Sequence, residues 1–335
     1  MDITVVLCTY NRFQSLAKTL ESISASTLPE SIEWEVLVVD NNSTDRTGEV
    51  IEDFCRRHPG RFRYIFEPQA GKSHALNAGV SKAYGEILAF TDDDVRVEST
   101  WLRNLTAPLH GGKWVGVGGR TLPAHSFSHP AWLPLEGPYN MGGILALFDG
   151  GDQAVDLVLP PYGVNMAFER RVFEKHGAFR TDLGPSPNTG IPRPNEDTEF
   201  GRRLLASGER LLYEPSAIVH HPVPENRLNK EYFLAWWFDY GRALIREKGE
   251  KPDVYGIPRY LLSLPRMAAT YLSVKTLQWL LTFNPQQRFY CKSMVWKIAG
   301  EMVETYRLAR SPMGENHSAS QVSGQQFKVK PFKLK

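Results

Sequence analysis

Over the first ninety or so residues, short apolar runs alternate with stretches whose apolar positions recur at helical spacing. Residues 3–9 form a β-branched apolar run that predicts a buried strand. Residues 14–25 place Leu16, Leu20 and Ile23 on one helical face. A second buried strand is predicted over residues 35–39, ending at Asp40, and a second helix over residues 47–57. A third strand at 62–66 and a third helix at 73–83 follow. The fourth strand, 86–90, runs into Thr91-Asp92-Asp93-Asp94. Strand and helix in strict alternation give an α/β fold with a mainly parallel sheet flanked by helices. Such sheets bind ligands beyond the carboxyl ends of their strands. Three of those ends are polar here: Thr9-Tyr10-Asn11-Arg12, Asp40-Asn41-Asn42-Ser43 and Asp92-Asp93-Asp94. Pattern alone therefore predicts one crevice lined by three strand ends.

The regular alternation stops near residue 110. Glycine and proline become frequent, which predicts loops and short antiparallel strands. Residues 181–195 read as a long Gly- and Pro-rich loop, 196–207 as a helix, and 217–221 as a short strand. If Ala217 and Val219 face one side of that strand, His221 joins them by period two, and His220 faces the other way. Beyond residue 230, aromatic and apolar residues at helical spacing mix with Arg and Lys. A helix pair broken at Pro265 is predicted over 260–283, and an amphipathic helix over 289–310. Residues 311–335 are polar and basic, ending in Lys328, Lys330, Lys333 and Lys335, and predict a tail without a fold of its own. The expected organisation is an α/β domain over 1–230, a helical region over 231–310, and the tail.

Composition narrows the class. With 42% apolar and 23% charged residues among 335, the chain is globular rather than disordered. A net charge of +2 gives no global signal for a polyanion, so no nucleic-acid partner is expected. Cys8, Cys55 and Cys291 are odd in number and far apart, which suits a reducing, cytoplasmic setting better than a disulfide framework. The opening MDITVVLCTYNR has neither the basic nor the long apolar part of a signal peptide. No apolar run reaches the roughly 18 residues of a membrane span.

Four clusters carry candidate chemistry. Asp92-Asp93-Asp94 at a strand end can hold a hard divalent cation, Mg²⁺ or Mn²⁺, which would grip a diphosphate. The same triplet would also serve as a solvated acidic turn that starts the helix expected over 98–109. Asn195-Glu196-Asp197 opens a helix, where a carboxylate can accept a proton from an attacking hydroxyl or simply stabilise the helix dipole. His221 suits a metal ligand or a structural histidine. Gly71-Lys72-Ser73-His74 precedes a helix and suits an anion, although its spacing is not that of a P-loop.

In combination and in this order, these segments resemble the family 2 glycosyltransferases of the GT-A fold. VVLCTYNR at 5–12 resembles that family's opening strand and turn, and VVDNNS at 38–43, followed by Thr44-Asp45, its second strand end. GKSHALNAG at 71–79 is similar to the segment before its metal strand, and LAFTDDD at 88–94 to its Asp-X-Asp element. GVNMAF at 163–168 resembles its mid-domain strand, NEDTEF at 195–200 its Glu-Asp element, and AIVHHPVP at 217–224 its later histidine segment. The resemblance covers about residues 1–230.

The resemblance implies a nucleotide-binding half over 1–110 and an acceptor half over 111–230. By it, Thr9, Tyr10, Asn11 and Arg12 line the nucleotide pocket. Asp40 bonds the base, with Asn42 and Asp45 beside it. Gly71, Lys72 and Asn77 lie near the base or phosphates, and Asp92 and Asp93 near the ribose or metal. Asp94 is the main metal ligand, helped by Asp92 and His221. Asp197 is the general base, and Glu196 shapes the site beside it. The implied reaction moves a sugar, with inversion, from a nucleotide-sugar (a UDP-sugar by family habit) to a saccharide or lipid-linked acceptor in polysaccharide or glycoconjugate synthesis. The implied setting is cytoplasmic, with peripheral contact at the inner face of the membrane through the C-terminal region. Two departures stand out. Asn195 replaces the glycine that often precedes the Glu-Asp pair, and the Gln-X-X-Arg-Trp motif of processive synthases is missing before Trp236-Trp237. A nucleotidyltransferase would want a Gly-rich basic loop after the first strand, where this chain has Tyr10-Asn11-Arg12. A non-catalytic sugar-nucleotide-binding subunit predicts loss of Asp94 or Asp197, and both are present.

Overall fold

Strand β1 (Ile3–Thr9) is apolar at most positions because both of its faces are covered. Ile3, Val5 and Leu7 pack on helix α1 (Phe13–Ser24) and helix α2 (Thr47–Arg57), whereas Val6 packs on α3 (Lys72–Lys82). This two-sided burial is why the strand reads as a continuous apolar run rather than an alternating one. The structure, a computed structural model, describes residues 1–185, 195–249, 253–254 and 257–310.

β1 pairs in parallel with β2 (Trp34–Asp40) on one side and β4 (Ile87–Thr91) on the other, and β2 pairs in parallel with β3 (Phe62–Phe66). The order continues through β8 (Asn165–Glu169), β6 (Gly116–Pro123), β9 (Leu211–His221) and β5 (Arg96–Val97), with β7 (Val155–Asp156) also pairing with β9. β8 is antiparallel to both β4 and β6, so the regular alternation ends where the chain crosses back. One sheet therefore runs through both halves expected from the sequence. Helices α4 (Trp101–Thr106), α5 (Arg171–His176) and α6 (Glu196–Ala206) complete its cover.

β9 is longer than the 217–221 predicted. Glu214-Pro215-Ser216 hid its first part, because proline cannot donate to a ladder. The pairing with β6 jumps there: Gly119 faces Glu214, but Arg120 faces Ile218. Asn165 fills the gap, its side-chain NH₂ donating to the carbonyls of Arg120 (2.9 Å) and Ala217 (2.8 Å) while its oxygen accepts from the Trp101 indole (2.9 Å). A Cβ on Gly119 would stand 2.3 Å from the Ala217 carbonyl, so only glycine fits this bulge. Beyond the bulge, Ala217, Val219 and His221 are buried, as period two predicted.

The C-terminal region is helical: α7 (Lys230–Lys248), α8 (Arg259–Met267), a π-helical turn at Ala268–Leu272, α9 (Ser273–Leu281) and α10 (Pro285–Arg310). The predicted break at Pro265 does not occur. The backbone stays helical through it and widens just afterwards into the π turn. α10 starts earlier than predicted because Pro285 suits a first helical position and the Asn284 side chain accepts the N–H groups of Gln286 and Gln287 (both 3.0 Å). α7 and α10 pack with the 127–147 loops through Phe233, Leu133, Leu145 and Phe289. The tail expected over 311–335 lies outside the described residues, as do 186–194 of the predicted loop.

α7 and α10 cross at two glycines. A Cβ on Gly241 would lie 2.0 Å from the Lys297 carbonyl, and one on Gly300 would lie 2.0 Å from the Phe238 carbonyl. The close approach lets Arg242 pair with Asp239 (2.9 Å) and Glu304 (3.0 Å) out of solvent. Gly300→Ala should force the helices apart and destabilise the chain by roughly 1–3 kcal/mol. Thermal unfolding checks this, and an unchanged midpoint would count against the crossing.

Candidate active site

The carboxyl ends of β1, β2 and β4 meet as the parallel pairing requires. Thr9, the last residue of β1, is buried, and its hydroxyl donates to Asp93 Oδ2 at 2.7 Å. Arg12, in the following turn, pairs with Asp94 and lies 3.5 Å from Asp93. Asp93 thus turns inward under the turn, while Asp92 and Asp94 face the cleft. The resemblance put Thr9 in the nucleotide wall and Asp93 with the ligand, but the structure ties them to each other beneath it. Burial, offset only in part by Arg12, pushes the Asp93 carboxyl up to about 6.

His221 arrives at Asp94 from the far end of β9, with its Nε2 3.7 Å from Asp94 Oδ1. One ligand atom from each of Asp92, Asp94 and His221 lies within 4.8 Å of the other two. Nδ1 of His221 is buried and has no hydrogen-bond partner among the described residues. Burial, more than the carboxylates beside it, sets the imidazole below its ordinary pKa, which favours the neutral form that binds metals. Two hard carboxylates and an imidazole fit Mn²⁺ or Mg²⁺.

Lys72 closes the other side. Its ammonium lies 2.8 Å from Asp92 and 3.8 Å from Glu196. Burial opposes both charges, but the pairing wins, so Lys72 sits above and Asp92 below its ordinary range. The anion expected at this helix start is therefore a carboxylate of the chain itself. The N–H groups there are occupied: Gly71 donates to Asn41 (2.7 Å) and Lys72 to the Pro185 carbonyl (2.9 Å).

Glu196 and Asp197 begin α6. Asp197 Oδ2 accepts from the Gly163 N–H and Oδ1 from the Thr198 N–H, both at 2.6 Å. A Cβ on Gly163 would press to 2.8 Å from Asp197 Oδ2, so glycine there permits the contact. Asn195 has φ 118°, a region that favours glycine. That accounts for the departure noted in the sequence, and the Asn195 side chain gains a use: it bridges Glu247 and Arg202. Glu196 is 3% exposed, and burial, together with the neighbouring Asp197 charge, pushes its carboxyl up to about 7.

Residues 4–177 match the family model described as glycosyl transferase family 2. The chain belongs to that family. It is 29% identical over 252 residues to the succinoglycan biosynthesis protein ExoM of Rhizobium meliloti (strain 1021), covering 75% of this chain and 76% of that one. It is 27% identical over 250 residues to a glucosyl-dolichyl phosphate glucuronosyltransferase of Haloferax volcanii, covering 73% and 77%. A mannosyltransferase from Pyrobaculum calidifontis, solved with GDP-Man and Mn²⁺, superposes with a TM-score of 0.59 at 20% identity, covering 91% of this chain and 87% of the other. GalNAc-T7, solved with UDP, GalNAc and Mn²⁺, gives a TM-score of 0.52 at 17% identity over 73% and 51%. These likenesses are of fold, and the fold is GT-A.

In this glycosyltransferase several other residues singled out in the sequence serve the framework. Asp40 is buried; its oxygens accept from Ser43 N (2.9 Å) and the Tyr64 hydroxyl (3.0 Å), so it holds the turn after β2. Asp45 caps α2 through Thr47 N (2.9 Å), and Asn11 Oδ1 accepts from the backbone of Thr44 (2.8 Å) and Asp45 (3.3 Å). Asn77 exchanges two bonds with the Phe179 backbone (2.8 and 2.9 Å). Tyr10 and Asn42 are exposed at the rim, Asn42 with φ 68°. Sequence reasoning gave no role to Asn41, which joins the end of β2 to Gln69 (2.7 Å) and Gly71, or to Gly163 as the partner of Asp197. A buried asparagine beside a glycine turn is the only signal that could have found the first.

Asp94→Asn and His221→Ala should each weaken Mn²⁺ binding by at least roughly tenfold in calorimetry. Asp93→Asn should leave it within about threefold, because Asp93 faces Thr9. A second expectation concerns Glu196, whose carboxyl is raised in the fold. The stability its protonated form contributes is full at low pH and is lost as pH rises through about 7. Glu196→Gln, neutral throughout, should therefore gain in unfolding free energy over the native chain between about pH 5 and about pH 8, by of order 1–3 kcal/mol, as denaturant unfolding across that range checks.

Proposed function

We propose that this chain transfers a sugar from a nucleotide-sugar, a UDP-sugar, to a hydroxyl of a saccharide or lipid-linked acceptor, inverting the anomeric carbon. The observation that carries the reading is the meeting, in one cleft, of Asp92, Asp94 and His221 with Lys72, Glu196 and the Asp197 carboxylate. Asp94, Asp92 and His221 would hold Mn²⁺ or Mg²⁺, and such a cation, when bound, supplies charge neutralisation for a leaving diphosphate. Asp197 takes the acceptor proton. Its oxygens are held by Gly163 and Thr198, so the carboxylate keeps one orientation while retaining lone pairs for the incoming hydroxyl. Lys72 keeps Asp92 ionised beside it. A base on one side and a leaving-group site on the other suit direct displacement without a covalent intermediate.

The likeness to a succinoglycan biosynthesis protein supports a role in cell-surface polysaccharide or glycoconjugate assembly. The likeness to an enzyme named for a dolichyl phosphate-linked sugar supports a lipid-linked acceptor. No helix among the described residues is long and apolar enough to cross a membrane, so contact with such an acceptor would be peripheral, at the inner face, through the C-terminal region. Residues 1–230 would form the catalytic domain, divided near 110 into nucleotide and acceptor halves.

Nucleotide release from a panel of UDP-, GDP- and dTDP-sugars with Mn²⁺ or Mg²⁺ tests this. One donor should be turned over; Asp94→Ala should abolish the metal dependence, and Asp197→Asn should lower kcat by about 10²–10⁴-fold with binding retained. Donor binding without turnover by the native chain, with acceptor extracts added, would favour a non-catalytic partner subunit.

A further inference from the structure

The outer face of α8 and α9 is apolar, and none of the described residues covers it. On α9 the stripe is Val274, Leu277 and Leu281 at helical spacing, with Leu280 beside it. Leu277 is 57% exposed, Leu281 64% and the following Phe283 92%. The inner face is apolar as well and already has its partner: Trp279 meets Trp296 and Tyr260 meets Tyr306, both on α10. A helix apolar on both faces is normally buried on both. Here α10 covers one side, and the other faces outward.

Charge states what would cover it. Between Asp253 and Glu301 the sequence has no acidic residue, while Arg259, Arg266, Lys275, Arg288, Lys292 and Lys297 are all basic. Arg266 is exposed within the apolar stretch, and Lys275 lies beside Val274. Lys292 stands over the Trp279 and Trp296 rings at 5.4 and 5.1 Å. Lys297 is paired with Glu301 (2.6 Å), but a second copy of this face would still set the exposed Arg266 and Arg288 against further cations and bring no acid from residues 254–300. Residues 311–335 hold several lysines and one acid, Glu315, so their charge offers no complement either. An apolar stripe edged by cations is complementary to a bilayer with anionic headgroups.

We propose that the outer face of α8–α9 lies in the plane of an anionic membrane, with Leu277, Leu280, Leu281 and Phe283 in the acyl boundary and the Arg and Lys residues at headgroup level. This rests on the peripheral membrane contact proposed above and names the surface that makes it. The α7–α10 crossing fixes that surface to the acceptor half, where a lipid-linked hydroxyl would have to arrive.

The test is flotation of the full chain with vesicles of phosphatidylcholine alone and of three parts phosphatidylcholine to one part phosphatidylglycerol. The chain should float with the anionic vesicles and be released by salt. Leu277→Gln combined with Leu281→Gln should lower partitioning by roughly tenfold or more, at an unchanged unfolding midpoint because both side chains face outward. Arg266→Gln with Lys275→Gln should remove the preference for the anionic vesicles. In the native chain, hydrogen exchange should slow over α9 when vesicles are added. Failure to float, or equal flotation of native chain and leucine variant, overturns the proposal. So does a vesicle-free dimer that the leucine variant abolishes, which would assign the face to a second copy. Donor hydrolysis by the leucine variant in solution should match the native chain, so the membrane surface and the transfer reaction fail or stand separately.

Discussion

Asp92, Asp94, Glu196 and Asp197 crowd into one cleft with Asp93 just beneath it, and the fold must tolerate that density of carboxyl groups. Coulomb repulsion among ionised carboxylates at such separations, shielded from water, would be prohibitive without compensation. The structure compensates in three ways. Lys72 stands between Asp92 and Glu196, and Arg12 covers Asp93 and Asp94. Asp93 and Glu196 are raised toward neutrality, so not all five need carry charge at once. Asp197 is held by two backbone N–H groups. The turn after β1, the start of α3 and the start of α6 are each shaped by this requirement.

The first ninety or so residues were legible because their central strands are buried on two faces and each helix on one, which leaves clear periodicities. Helix α2 and strand β3 begin and end where the pattern places them. The strand after the bulge was legible too, through the alternation of Ala217, Val219 and His221. Its first part was not, because the unpaired residues around Pro215 take their geometry from Asn165 and Gly119, far away in sequence. The helical run through Pro265 misled for a related reason: a local rule about proline was overridden by packing on α10.

At the site, the sequence could name the chemistry-bearing residues but not which way they point. Three consecutive aspartates look equivalent in a string. In the fold, alternation sends Asp92 and Asp94 to the cleft and Asp93 to Thr9. Lys72 looked like an anion binder because it opens a helix, yet its partner is a carboxylate twenty residues on, brought close by strand pairing. Asn195 looked like a departure from pattern, and it proves to be a residue holding the backbone that glycine would hold while bridging α6 to the end of α7.

That Asp92 and Asp94 follow β4 while His221 ends β9 has a consequence for the order of events during synthesis. Asp92 and Asp94 leave the ribosome more than a hundred residues before His221 does. Residues 1–91 can pair β1 through β4 by local crossovers long before β8, β6 and β9 are available to extend the sheet. A nascent chain halted at that stage would present two carboxylates at the rim and no imidazole. Asp92, Asp94 and His221 come together only once β9 has joined the sheet, so an ion held by these three would report that the whole sheet had assembled.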